Sequence, residues 1–173
     1  MEKSFESLKE ALEKYFPKTA VSSDDTEPFF IITEESQNLP GISFGIYFGT
    51  DSSVFINCFP VRSILPEYSG DVLDLLNSLN YENRFVKFAV DEAGDIELSV
   101  DLLLADDDPQ RICRQISAAI DRLTSVLDSN YFDIFLTARC GTEKASDVKK
   151  LLIPTRKDLF SAAAEAWIGG KKL

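Results

Sequence analysis

The sequence predicts an α+β fold, an antiparallel sheet packed by helices, and three observations carry that prediction. Apolar residues recur at helical spacing around residues 4–16, 69–80 and 108–127. They alternate with a period of two around residues 42–48 and 84–104, and turn residues such as Asp91-Glu92-Ala93-Gly94-Asp95 separate the two patterns. The expected order is helix, three strands, helix, two strands, helix, with a C-terminal helical extension. A chain of 173 residues is long enough for one substantial core.

The first helix runs from Ser4 to Phe16. Phe5, Leu8, Leu12 and Tyr15 form one stripe, Glu6, Lys9, Glu10, Glu13 and Lys14 cover the other side, and Pro17 stops it. The polar stretch from Val21 to Glu27 reads as a connecting loop. Phe29 to Thr33 is a short strand, apolar on both sides. Ile42, Phe44, Ile46 and Phe48 alternate with Ser43, Gly45 and Tyr47, which fits a half-buried strand. Val54 to Phe59 is apolar on both faces and suits a central position. Gly41, Gly45 and Gly49 lack a following Gly-Lys-Ser/Thr, so they read as turn, bulge or close backbone approach rather than a phosphate loop.

Ser69 is placed to cap the second helix, with Asp71 and Asp74 near its positive end, Val72, Leu75, Leu76 and Leu79 on its apolar face, and Asn80 to Asn83 ending it. Arg84 to Val90 and Asp95 to Leu104 then form a hairpin whose turn uses the left-handed freedom of Gly94. Val86, Phe88, Ile96, Leu98 and Val100 are its expected core residues. The third helix has the clearest start, with Asp108 as cap and Pro109 in the first turn. Ile112, Ile116, Ala119, Ile120, Leu123 and Leu127 give it a continuous apolar stripe that packs over the hairpin. Tyr131 to Ala138 reads either as more of that helix or as a sixth strand. Beyond it, Ser146 to Ile153 and Lys157 to Trp167 are helical candidates, so residues 1–139 form the α+β domain and 140–173 a basic extension.

Hydrophobic residues make up 45% of the chain, including 13 Phe, which requires a packed core. The net charge of -11 excludes a broad basic face for nucleic acid and favours partners with basic stretches. Of the 29 acids and 18 bases, 25 acids and 10 bases lie in residues 1–138, so the remaining 35 residues are net basic. No apolar run approaches a membrane span, and Met1 to Phe16 is too charged for a secretory signal. Cys58, Cys113 and Cys140 are odd in number and widely spaced, as in a reducing cytoplasm. Cys58 and Cys113 read as core or boundary residues. Cys140 adjoins Arg139, a cation able to lower its thiol pKa, but no base completes a catalytic pair.

With no histidine, Ser-His-Asp and Cys-His systems and histidine metal sites are excluded. Glu34 with Glu35 and Asp91 with Asp95 are the available carboxylate pairs, and both fall at strand ends or turns where acids are normally solvated. The triplet Asp106-Asp107-Asp108 belongs to helix-start electrostatics rather than a cation site. Arg62, Arg84 and Lys87 either hold a small anion or pair with the abundant acids, and pairing is the default. No catalytic, cofactor or metal residues are therefore assigned, and no partner-binding residues can be named.

The leucine helix from Asp71 to Asn80 (DVLDLLNSLN) and the hairpin from Arg84 to Leu98 (RFVKFAVDEAGDIEL) resemble the YbjN family of bacterial sensory-transduction regulators, which shares the fold of type III secretion chaperones. The likeness covers about residues 3–135. It implies a compact α+β domain, often dimeric, that binds protein rather than catalyses, with no catalytic residues to transfer. The extension from about Cys140 departs from the short family pattern.

These readings lead to a cytoplasmic, non-enzymatic regulator or adaptor that binds an unidentified protein and forms a homodimer, without nucleic-acid or membrane partners. One alternative is a secretion chaperone holding an unfolded effector segment. Another, of a different class, is a small-ligand sensor or enzyme with a groove between sheet and helices. Phe160 and Trp167, seven apart on one helical face, are expected to dock residues 157–167 on the domain of their own chain or of a dimer mate.

Overall fold

The computed structural model describes residues 2–16, 20–22, 29–34, 39, 41–49, 52–104 and 108–152. Its elements are α1 (Glu2–Tyr15), β1 (Ala20–Ser22), β2 (Phe29–Glu34), β3 (Ile42–Phe48), β4 (Ser53–Val61), a 3-10 turn (Pro66–Tyr68), α2 (Ser69–Glu82), β5 (Lys87–Val90), β6 (Ile96–Leu103) and α3 (Pro109–Leu152). The six strands form one sheet in the order β1-β2-β3-β4-β6-β5, with every neighbouring pair antiparallel. The α+β expectation holds, and β4 is central as its two apolar faces required.

Alternation divides the sheet into two faces. Phe30, Ile32, Phe44, Ile46, Val54, Ile56 and Leu98 are at most 1% exposed and share one face. Leu8 and Leu12 of α1 join the same core, as do Val72, Leu76 and Leu79 of α2 and the predicted α3 stripe. Val86, Phe88, Ile96 and Leu98 are buried as expected, whereas Val100 is only half-buried. The reason is register: β5 pairs with β6 only as far as Ser99, so Val100 has no cross-strand neighbour on that side.

Three local readings are corrected and one open alternative is decided. Val21 and Ser22, read as the start of the loop from Val21 to Glu27, join Ala20 in a strand that pairs with Phe29–Ile31 at the sheet edge. Tyr131 to Ala138 is helix, not a sixth strand. Ile134 and Ala138 continue the buried stripe, and Ser129 and Asn130 bond back to the carbonyls of Ser125 and Val126, so this polar pair does not interrupt α3. Ser69 does not cap α2. The 3-10 turn runs directly into the helix, Tyr68 takes the capping position without a side-chain bond, and the Ser69 hydroxyl donates to the Pro66 carbonyl. Tyr15 is 42% exposed, and Phe16 turns inward in its place.

The predicted start of α3 is observed: Asp108 Oδ1 accepts the Gln110 N–H at 3.0 Å, and Pro109 opens the helix. Gly141 breaks α3 with φ 75° and ψ 167°. A Cβ there would lie 2.9 Å from Asp71 Oδ2 and 3.0 Å from the Tyr68 ring, so glycine is required twice over, by conformation and by space. Asp71 Oδ2 accepts the Thr142 N–H at 2.7 Å and so caps the helical stretch that follows the break. Lys149 pairs with Asp133, tying this stretch back along α3. Ser146 to Leu152 are thus part of α3, while the expected helix from Lys157 to Trp167 lies outside the described residues.

Candidate functional site

The second face of the sheet carries its own apolar surface. In one cross-strand row, Phe29 pairs with Tyr47, Tyr47 with Phe55 and Phe55 with Asp101. The Phe29 and Tyr47 rings stack with centroids 5.5 Å apart and 17° between planes, and the Tyr47 and Phe55 rings lie 6.1 Å apart at 42°. None of these three aromatics, nor Ile31 or Phe59 on the same face, belongs to the buried core cluster or the side chains packed against it. Tyr47 is 38% exposed. Phe29, Ile31, Phe55 and Phe59 are half-buried beside it, and a partly exposed apolar patch of this kind is uncommon unless something is meant to cover it.

Gly45 makes this platform possible. A Cβ at that position would sit 2.9 Å from Tyr47 Cε2 and 2.9 Å from Asn57 Oδ1. The tyrosine ring therefore lies flat across the glycine. The close backbone approach expected from the Gly41, Gly45, Gly49 pattern occurs here. Beside it, the buried Asn57 donates to Glu97 Oε1 at 2.7 Å, and Thr33 and Ser43 share a hydroxyl bond of 3.0 Å. The Arg62 guanidinium lies 4.4 Å over the Phe59 ring at the far end. The platform is thus an aromatic row ending in the exposed carboxylate of Asp101. Among the described residues it brings no base to the Thr33 and Ser43 hydroxyls and holds no paired acid and base.

At the corner behind Arg62 the chain is locked. Arg62 and the Ser63 N–H hold the two oxygens of Asp95 at 2.5 and 2.7 Å, and Arg139 donates to the carbonyls of Arg62 and Ser63 at 2.7 and 2.8 Å. The bond from Arg62, joined by the one from Ser63, holds the Asp95 carboxyl below its ordinary range. Asp91 accepts from the N–H groups of Ala93 and Asp95 and closes its own turn. The Asp91 and Asp95 carboxylates are therefore spent on structure, and Arg62 takes the expected ion-pairing role. Glu35, the partner of Glu34 in the other pair, lies outside the described residues. A small depression of about 200 Å³ adjoins this corner, lined by Ser43, Phe59, Arg62 and Tyr131 among others.

Burial disfavours the thiolate at all three cysteines. Burial, reinforced by the charge of Glu97, pushes the Cys58 thiol up to about 12, and burial also raises Cys113. For Cys140 the expectation is reversed: burial raises its pKa, opposed by Lys144, and its thiol donates to the Leu136 carbonyl. Among the described residues no group of three acids or cysteines is placed to hold a metal ion, and no helix is long and apolar enough to cross a membrane.

The aromatic row was not identified from sequence. Its signal was present in two strands apolar on both sides, Phe29–Thr33 and Val54–Phe59, flanking one whose polar side carried Tyr47. That combination requires an apolar patch on the face away from the core.

No curated protein matches the chain. The model of the YbjN family, described as "Putative bacterial sensory transduction regulator", matches residues 21–134, which span β1 to β6 and most of the long part of α3. The chain belongs to the YbjN family.

Proposed function

We propose that this chain is a non-enzymatic protein-binding module, a cytoplasmic regulator or adaptor of the YbjN type that works as a homodimer. The observation that carries the binding role is the row Phe29–Tyr47–Phe55–Asp101 on the sheet face that no helix of the described residues packs against. Aromatic side chains give large contact area at low entropic cost and dominate binding hot spots. A partner segment with an aliphatic or aromatic residue and a nearby Lys or Arg would lay its apolar part on the rings and its cation against Asp101. The net charge of -11 favours such a partner.

The test is capture of partners from the source cell by wild-type, Tyr47→Ala and Asp101→Lys chains. A partner held by the first and lost by both variants supports the reading. Equal capture by all three sinks it. A captured segment that is unfolded when free and released intact would favour the chaperone reading instead.

A further inference from the structure

The sheet ends in two different ways on the β5 side. The outward main-chain groups of Phe88 are closed by Asn80, whose amide accepts the Phe88 N–H at 2.7 Å and donates to its carbonyl at 2.9 Å. A side chain standing in for a strand protects that edge. β6, however, runs on to Leu103, while β5 accompanies it only to Ser99. Because Phe88 points its groups away from β6, the alternation of an antiparallel pair makes Glu97 and Ser99 the residues that bond β5. Asp101 and Leu103 aim their donors and acceptors to that same side, where no strand of the described residues lies.

Next to this ledge is a groove of about 340 Å³, lined by Phe85, Val86, Leu102, Ala119 and Arg122 among others. Phe85 and Leu103 stand 79% and 80% exposed at its rim, and Tyr81, in the last turn of α2, is 89% exposed. Charge is concentrated here too. Residues 19–138 contain six cations, and five of them (Arg84, Lys87, Arg111, Arg114 and Arg122) line the groove or lie beside or one turn from a residue that does. The sixth, Arg62, is held at the Asp95 corner. Asp101 lines the groove and Asp121 adjoins Arg122, so the opposite sign is present at the same place.

We infer that the β6 ledge and its groove are the face on which two copies of this chain meet about a two-fold axis. Two bodies of net charge -11 repel over most of their surfaces, so they meet most favourably where each presents cations. A patch with both signs and an apolar centre is self-complementary, which an isologous interface requires. The short ledge pairs Asp101 of one copy with Leu103 of the other, and each Phe85 and Leu103 covers its neighbour's groove. This assignment rests on the homodimer proposed above and adds the surface that forms it.

Sedimentation of the full chain at tens of micromolar tests it, with Leu103→Arg, Phe85→Asp and Tyr47→Ala alongside. The wild type and Tyr47→Ala should be dimers. The two edge variants should be monomers with association weakened at least about a hundredfold, and their thermal melts should still show a cooperative fold. Dimers in both edge variants would overturn this interface while leaving the dimer standing. A monomeric wild type would overturn the dimer itself. Loss of the dimer in Tyr47→Ala alone would move the interface to the aromatic row and equally overturn the assignment.

Discussion

The two faces of this sheet use the same strands for opposite purposes. Along β3, Phe44 and Ile46 are fully buried, while the intervening Gly45 and Tyr47 lie on the face bearing the aromatic row. Along β4, Val54 and Ile56 are sealed under the helices while Phe55 and Phe59 are not. The inner face buries aliphatic and Phe side chains, each contributing about 1.5–3 kcal/mol of hydrophobic stabilisation. On the outer face the aromatics leave the core and meet each other, a glycine and a carboxylate. Stability is thus concentrated on one face, and the proposed binding surface lies on the other. Single substitutions should separate them.

The largest effect is expected at the centre of the inner face. Leu98 is fully buried between β4 and β5, opposite Cys58 and Phe88. Leu98→Asp places a carboxylate there with no partner and should cost about 4 kcal/mol or more. Against a total stability of about 5–15 kcal/mol for a domain, that unfolds it or nearly so. A melting temperature within a degree or two of wild type would contradict the register assigned to β6.

The corner that joins the sheet to α3 should respond next. The Asp95 pKa is depressed by the bonds from Arg62 and Ser63. A carboxylate with a depressed folded-state pKa contributes its full stabilisation above the ordinary range near 3.8 and loses it as pH falls through the lower folded value. Melting temperatures measured between neutral pH and strong acid should therefore show an acid limb that Asp95→Asn makes shallower, together with a lower plateau at neutral pH. An identical acid limb in the variant would show that other carboxylates govern acid unfolding.

Much of this architecture was legible because local signals agreed with one another. The Asp108-Pro109 start, the α3 stripe and the Asp91–Asp95 turn each follow from chemistry within a few residues, and the structure contains all three. What escaped were roles set by distant neighbours. Ser69 has the composition of a cap, but the preceding 3-10 turn removes the need for one. Asp71 reads as helix-start electrostatics on α2, yet its carboxylate caps a stretch 71 residues later. Asn80 reads as a helix terminator but completes the edge of β5. The aromatic row escaped for the same reason, because Phe29, Tyr47 and Phe55 become neighbours only through strand register.

Asp71 gives a smaller effect that keeps to the helical side of the comparison. Asp71→Ala removes the cap of the stretch after Gly141 and should cost about 1 kcal/mol, a fall of about 2–4 °C for a chain of this size. The loss should be local. Hydrogen exchange of the first amides after Gly141 should quicken while that of β4 and β6 stays slow. Uniform acceleration through the sheet would mean that the cap supports the whole fold.

The smallest effect on stability is expected at Tyr47, together with the largest effect on binding. The ring is more than one-third exposed and touches its neighbours on the outer face, so Tyr47→Ala forfeits an aromatic contact worth about 0.5–1.5 kcal/mol and leaves the core untouched. If the row is a binding hot spot, the same truncation costs at least about 2 kcal/mol of affinity, or roughly 30-fold. Gly45→Ala sharpens the comparison because it keeps the ring but removes the floor under it. The added Cβ meets Tyr47 Cε2 at 2.9 Å, so the tyrosine must lift off the sheet and break its stacking on Phe29. Calorimetric titration of a captured partner should show both variants weakened, with Tyr47→Ala melting close to wild type and Gly45→Ala lower, because its Cβ also meets the buried Asn57 Oδ1 at 2.9 Å. Tight binding by both would detach the aromatic row from function and return the search for the partner site to the helical side of the molecule.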